Sequence, residues 1–150
     1  MPTHYSGTLQ EILALNTFIK LTRATESLLN RLSQRGTQGD LTPSQFGVLE
    51  TLYHLGSKCQ NELASKILKS SGNLTMVIDN LEKRSLVRRV RDTVDRRKVT
   101  VMLTEEGRQL ISQVLPSHVA SITDEMNTLT PQEQITLGEI CRKLGTSESE

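Results

Sequence analysis

Apolar residues recur at helical spacing through most of the chain and switch to alternation in one region only. Leu9, Ile12, Leu15, Phe18, Ile19, Leu28, Leu29 and Leu32 follow a helical stripe over residues 8–35, which contain no Gly or Pro. Gly36 and Gly39 end it. The run from Leu41 to Phe46 is a helix start: Thr42 suits the N-cap, Pro43 the first helical position, and Gln45 completes a capping box. Leu41 and Phe46 are spaced as a hydrophobic staple across it. The second helix runs through Val48, Leu49 and Leu52 to Gly56. Residues 61–69 predict a short third helix with Leu63, Ala64 and Ile67 facing inward, and residues 70–73 a cap-rich turn. A fourth helix follows to about Arg84, with Leu74, Val77, Ile78 and Leu81 on one face.

The period then falls to two. Residues 86–91 and 99–103 read as antiparallel strands, and the polar stretch 92–98 between them as a hairpin tip. Thr104 caps a fifth helix with Glu105 and Glu106 in its first turn, where carboxylates meet the positive end of the dipole. Its stripe is Leu110, Ile111, Val114, Leu115, Val119, Ile122 and Met126, and Pro116 predicts a kink. Thr130, Pro131 and Glu133 repeat the earlier start signal. A sixth helix carries Ile135, Ile140, Cys141 and Leu144 to Gly145. The order is α–α–α–α–β–β–α–α. It predicts a mainly α chain with a small antiparallel β-hairpin: a winged helix-turn-helix over residues 41–104, flanked by helices at 1–40 and 105–150. Those flanking stripes are too long for the small central unit to cover, which predicts a dimerisation region and a homodimer.

Charge sharpens this picture. The 150 residues carry a formal net charge of only +1. Residues 83–98 hold eight Lys/Arg against Asp92 and Asp95, a net +6, and the remainder of the chain carries −5. Charge concentrated in this way suits phosphate, because each neutralised phosphate releases condensed counterions. With 35% hydrophobic and 3% aromatic residues, the core must come from Leu, Ile and Val. No apolar run approaches the 18 or so residues of a membrane span, no secretory signal is evident, and Cys59 and Cys141 do not suggest a disulfide scaffold. The expectation is a cytoplasmic protein with no membrane partner. His4, His54 and His118 show no metal-ligand spacing, and there is no phosphate-cradling glycine loop or nucleophile motif. Neither an enzyme nor a cofactor is expected.

A helix-turn-helix places the start of its second helix in the major groove. Asn73 there could pair with adenine, Thr75 touch base edges or a thymine methyl, and Met76 add apolar contact. Ser70 and Ser71 stand where a helix N-terminus favours phosphate, Ser70 also serving as a cap. The tip residues Asp95, Arg96, Arg97 and Lys98 sit on a thin hairpin that can reach the minor groove, whose potential attracts Arg. Asp95, two residues before Arg97, suits an orienting partner for its guanidinium. Arg84, Arg88 and Arg89 would contact phosphates.

From Asn61 to Leu110 the chain resembles the winged helix-turn-helix of the MarR family of bacterial transcription regulators. The resemblance rests on Glu62-Leu63-Ala64, Leu74-Thr75, the run 79–84, Leu86-Val87, the wing Asp95-Arg96-Arg97, and Val101, Leu103, Thr104, Gly107 and Leu110. With the helical flanks it covers residues 8–145. It implies a DNA-binding regulator, often a repressor, acting as a homodimer on a pseudo-palindromic operator of double-stranded DNA. Arg97 would be the minor-groove arginine and Asp95 its partner, with Ser71, Asn73, Thr75 and Met76 facing the major groove. It also implies an effector: a small phenolic or aromatic compound, or oxidants and electrophiles acting through a thiol. Two positions depart from the family pattern. Ser85 stands where many members have Gly, so the helix C-terminus needs either a strained left-handed residue or a different cap, and Met76 replaces a frequent Arg.

Cys59 precedes Glu62 by three residues, in the N-cap slot of the third helix, where a helix dipole can favour thiolate. It is the candidate redox residue, against the plainer reading of a small residue at a turn. Cys141 falls on an apolar stripe, as a core or dimer-interface residue would. The alternative to an operator-reading regulator is a winged helix used for nonspecific nucleic-acid or protein contacts without an effector.

Overall fold

Thr8, Thr42 and Thr130 start three helices by one device. Each hydroxyl accepts from the backbone N–H three residues on, and Glu11, Gln45 and Glu133 return the bond to the threonine N–H. These boxes open α1 (Leu9–Arg35), α2 (Pro43–Leu55) and α6 (Pro131–Gly145) in a computed structural model that describes residues 3–67 and 71–146. Between them lie β1 (Lys58–Cys59), α3 (Gln60–Ile67), α4 (Ser71–Lys83), β2 (Val87–Arg91), β3 (Val99–Leu103) and α5 (Glu105–Met126). The capping box at Thr8 is a start signal that the apolar stripe alone did not reveal.

Backbone contacts divide the chain into two units: Thr37–Val119, and the residues up to Gly36 together with those from Ala120 onward. The first unit thus takes in the opening turns of α5, which runs unbroken through Pro116. Its core is drawn mainly from the four helices α2 to α5 and the strands β2 and β3, and includes Phe46, Leu49, Leu63, Leu74, Ile78, Leu81, Val87, Val101 and Ile111. A fully buried side chain of this size is worth about 1.5–3 kcal/mol, which makes this cluster the main source of the unit's stability. The staple residues Leu41 and Phe46 both belong to it.

The sheet has three strands in the order β1-β3-β2. β2 and β3 pair antiparallel, Val87 with Leu103 through Arg91 with Val99. The third strand was not foreseen: Lys58 pairs with Val101 and Cys59 with Thr100. Two residues are too short for any alternation to be read, and only the exposed edge of β3 makes them a strand.

The fourth helix also differs from expectation. It already includes residues 71–73, which were expected to form a turn, so Asn73 stands in its first helical turn. Its other end closes at Ser85, whose φ is 61°. The Ser85 N–H donates to the Glu82 carbonyl at 2.9 Å and the Leu86 N–H to the Leu81 carbonyl at 3.0 Å. That is a Schellman motif, with Ser where glycine is usual, and Leu81 and Leu86 are both buried beside it.

The helical unit is built differently. None of its described hydrophobic side chains is buried. Leu9 is 88% exposed and Ile140 58%, and Phe18, Leu29, Ile135 and Leu144 are exposed with them. Polar ties hold the helices within it: Arg31 Nε donates to Glu125 at 2.7 Å, and Arg35 bonds both Glu125 (2.9 Å) and Asp124 (3.2 Å). Cys141, on α6, is exposed in this chain, so it is not a core residue. It lines an apolar cavity of about 450 Å³ with Leu21, Leu28, Met126 and Leu137.

Candidate nucleic-acid interface

Helix α4 has two faces of opposite character. Leu74, Ile78 and Leu81 are fully buried, which fixes the rotation of the helix about its own axis. Asn73, Thr75, Met76, Asn80 and Lys83 are consequently exposed, Met76 to 68%. Asn73, Met76, Asn80 and Lys83 recur at helical spacing and share one outward stripe. Asn80 is not singled out by sequence pattern, since it sits inside an otherwise family-like run. Its position opposite the buried face is the signal that would have found it. Ser70 lies outside the described residues, and Ser71 opens the helix backbone.

Thr75 is held from two sides. Gln60, at the start of α3, donates its amide to the Thr75 hydroxyl at 2.6 Å, and the Thr75 carbonyl accepts from Arg89 at 3.2 Å. The two helices of the helix-turn-helix and the strand behind them therefore meet at one residue of the outward face.

The wing tip is organised by its aspartates. Asp92 accepts from the Val94 N–H at 2.8 Å, and Asp95 accepts from the Arg97 N–H at 3.1 Å. Such Asx turns hold a short loop without help from a core. The Asp92 N–H also donates to the Lys98 carbonyl at 3.0 Å, closing the tip. Arg97 Nε donates to the same Asp95 oxygen at 3.3 Å while the Arg97 side chain stays 93% exposed. In addition, Arg91 donates to the Arg96 carbonyl at 3.1 Å.

The eight cations of this region fall into distinct groups. Arg88, Arg96 and Lys98 are exposed and form no ion pair among the described residues. Arg84 is engaged by Asp40 at 3.0 Å, across an exposed surface where such pairs are worth roughly 0–1 kcal/mol. Phosphate can therefore displace Asp40. Arg89 differs: it is drawn onto α4 by Asp79 at 2.6 Å and Glu82 at 3.2 Å. The expectation that it contacts phosphate does not fit this geometry.

Cys59 lies between wing and helix, at the end of β1 and the start of α3. Its backbone N–H donates to Glu62 at 3.2 Å, and hydrogen bonding from Cys59 holds that carboxyl below its ordinary value. Cys59 thus stands immediately before α3, with the Glu62 side chain reaching back to its backbone N–H. Arg97, Lys98 and Val99 share a cleft with Cys59, Gln60 and Asn61. Among the described residues no group of His, Cys, Asp and Glu could hold a metal ion, and no helix is long and apolar enough to cross a membrane.

Comparisons with known proteins agree with this arrangement. Residues 41–99 match the family described as MarR family. The chain is 33% identical over 132 residues to the HTH-type transcriptional regulator MhqR of Bacillus subtilis, covering 88% of this chain and 91% of that one. It is 32% identical over 104 residues to the HTH-type transcriptional repressor MdtR of the same organism, covering 69% and 67%. Among solved structures, BpsR of Bordetella bronchiseptica, whose DNA binding is regulated by 6-hydroxynicotinic acid, superposes with a TM-score of 0.78 at 26% identity, covering 97% of this chain and 98% of that one. Regulators of this family bind DNA and are not enzymes. The chain, with its winged helix-turn-helix and its helical flanks, belongs to the MarR family of transcription regulators.

Proposed function

We propose that the protein is a homodimeric regulator, a repressor, that binds a pseudo-palindromic operator and releases it in response to a small effector. The observation that carries the dimer is the helical unit, which buries none of its described hydrophobic side chains. A unit with such exposed stripes on α1 and α6 gains most by burying them against a second copy. A two-fold dimer then presents two α4 helices. To enter successive major grooves they must stand about one DNA turn apart, roughly 34–36 Å.

In this reading Asn73, Thr75 and Met76 face base edges, with Ser70 and Ser71 at the phosphate beside the helix start. Arg97 enters the minor groove, aimed by Asp95. Arg84, Arg88, Arg96 and Lys98 neutralise phosphates and supply affinity without sequence information. The effector, an aromatic acid or phenol, changes affinity by favouring a dimer whose helix spacing no longer fits the DNA. BpsR, with its hydroxynicotinic acid, supports this class of ligand. Thiol oxidation or electrophile addition at Cys59 is the second route. Its support is position, since Cys59 stands at the start of α3 and lines the wing cleft with Arg97 and Lys98.

Selection of bound duplexes from a random pool tests the central claim. An inverted repeat with half-sites one turn apart is expected, whereas enrichment of no sequence would leave only nonspecific binding. For the thiol route, Cys59→Ser should bind the selected operator normally and lose any response to a quinone. A response that survives the substitution removes Cys59 from it.

A further inference from the structure

Arg89 is one of eight cations in the basic segment, and the structure gives it an unusual share of partners. Its Nη1 reaches Asp79 Oδ1 at 2.6 Å and Glu82 Oε1 at 3.2 Å, and its Nη2 reaches the Thr75 carbonyl at 3.2 Å. Glu82 answers with its other oxygen, accepting the Arg89 backbone N–H at 3.0 Å. The side chain is only 21% exposed. One guanidinium on β2 therefore spans residues 75, 79 and 82, two turns along one side of α4. Only the planar five-donor fork of Arg can serve a carbonyl and two carboxylates together.

Two consequences follow. The fork ties the wing strand to the helix, so the tip at Asp95–Lys98 and the outward stripe of α4 are presented to DNA as one piece. It also offsets one of the two negative charges that Asp79 and Glu82 place on a helix that must approach phosphate. The buried apolar face of α4 fixes its rotation, and this three-point tie resists movement along its axis as well. The Thr75 carbonyl lies at the level of Met76, so the clamp acts at the reading end of the helix.

We propose that Arg89 is a positioning residue for DNA recognition, and not a phosphate contact. It holds helix and wing in the mutual placement that reads sequence. This rests on the reading of α4 and the wing as the DNA-binding surface.

Removing the carboxylates separates the two roles by sign. In the homodimer, Asp79→Asn with Glu82→Gln adds positive charge and releases the arginine. If Arg89 were a phosphate contact held in reserve, operator affinity would rise and the ratio of operator to random-duplex affinity would stay the same. A positioning role predicts the opposite for the ratio: a fall of about tenfold, the scale of a broken coupled network. Arg89→Lys keeps the charge, loses the fork, and is expected to lower the same ratio. Arg89→Gln removes the charge as well, and should leave unchanged the slope of log affinity against log salt, which would drop by about one for a lost phosphate contact. Measured well below the melting temperature, with the variants folded, an unchanged ratio in the carboxylate variant and in Arg89→Lys would overturn the proposal, as would a reduced salt slope for Arg89→Gln. An unmodified protein that failed to distinguish operator from random duplex would instead sink the sequence-reading function itself.

Discussion

Thr104 donates its hydroxyl to the Ser85 carbonyl at 2.6 Å. Its oxygen also accepts the Gly107 N–H at 3.0 Å, and its backbone N–H donates to the Leu86 carbonyl at 3.2 Å. The residue that caps the start of α5 is thus the residue that steadies the left-handed end of α4. The recognition helix and the helix after the wing are joined by hydrogen bonds between residues 19 apart in sequence.

Ser85 keeps its positive φ at a cost, since an L-residue in the left-handed region is disfavoured by roughly 1–2 kcal/mol. Ser85→Gly should stabilise the protein by about 0.5–1 kcal/mol, the remainder being lost to the greater freedom of glycine in the unfolded chain. Thr104→Val removes both hydroxyl bonds and should destabilise by about 1–2 kcal/mol. Chemical denaturation of both variants checks the pair.

Gly107 admits no side chain. A Cβ there would stand 2.0 Å from the Leu86 carbonyl oxygen and 3.2 Å from Leu103 Cδ2. The backbone oxygen cannot move aside without giving up its bond from Thr104. Gly107→Ala should therefore lose about 1–3 kcal/mol or more by overpacking, read as a lower denaturation midpoint.

Arg97→Ala should weaken operator binding by about 1–3 kcal/mol and reduce the salt slope by about one. Its pair with Asp95 is so exposed that the substitution should not move the melting temperature measurably. Titration of a fluorescent operator at several salt concentrations would show whether the wing participates.

Ile140 projects from α6 with 58% of its surface exposed in the single chain. Ile140→Asp should convert the dimer to monomer and abolish operator binding while leaving the buried core of the Thr37–Val119 unit intact. Light scattering after gel filtration reads the first effect, and a variant that stays dimeric would place the interface elsewhere.

Glu125 is held below the ordinary carboxyl value by hydrogen bonds from Arg31 and Arg35. The folded chain then binds this proton less readily than the unfolded one. The stabilisation is complete above the unfolded value, near 4.5, and is lost as pH falls through the lower folded value. Glu125→Gln should flatten the acid limb of the stability profile while leaving the slope near neutrality unchanged. Thermal melts from pH 3 to pH 7 would resolve it.

Local chemistry in the sequence determined where α2 and α6 begin. Thr42-Pro43 with Gln45 and Thr130-Pro131 with Glu133 are complete start signals within a few residues, and the alternation at 86–91 and 99–103 can only be strands. The same holds for the wing tip, because an Asx turn is made by residues two apart. What tertiary structure alone decided concerns partners brought from a distance. Lys58 and Cys59 are a strand only because β3 offers an open edge. Arg88 and Arg89 are chemically identical neighbours, yet alternation turns one outward and the other onto Asp79 and Glu82. A charge count treats them alike; the pleat of β2 and the packing of α4 against it separate them, and no pattern along the chain carries that information.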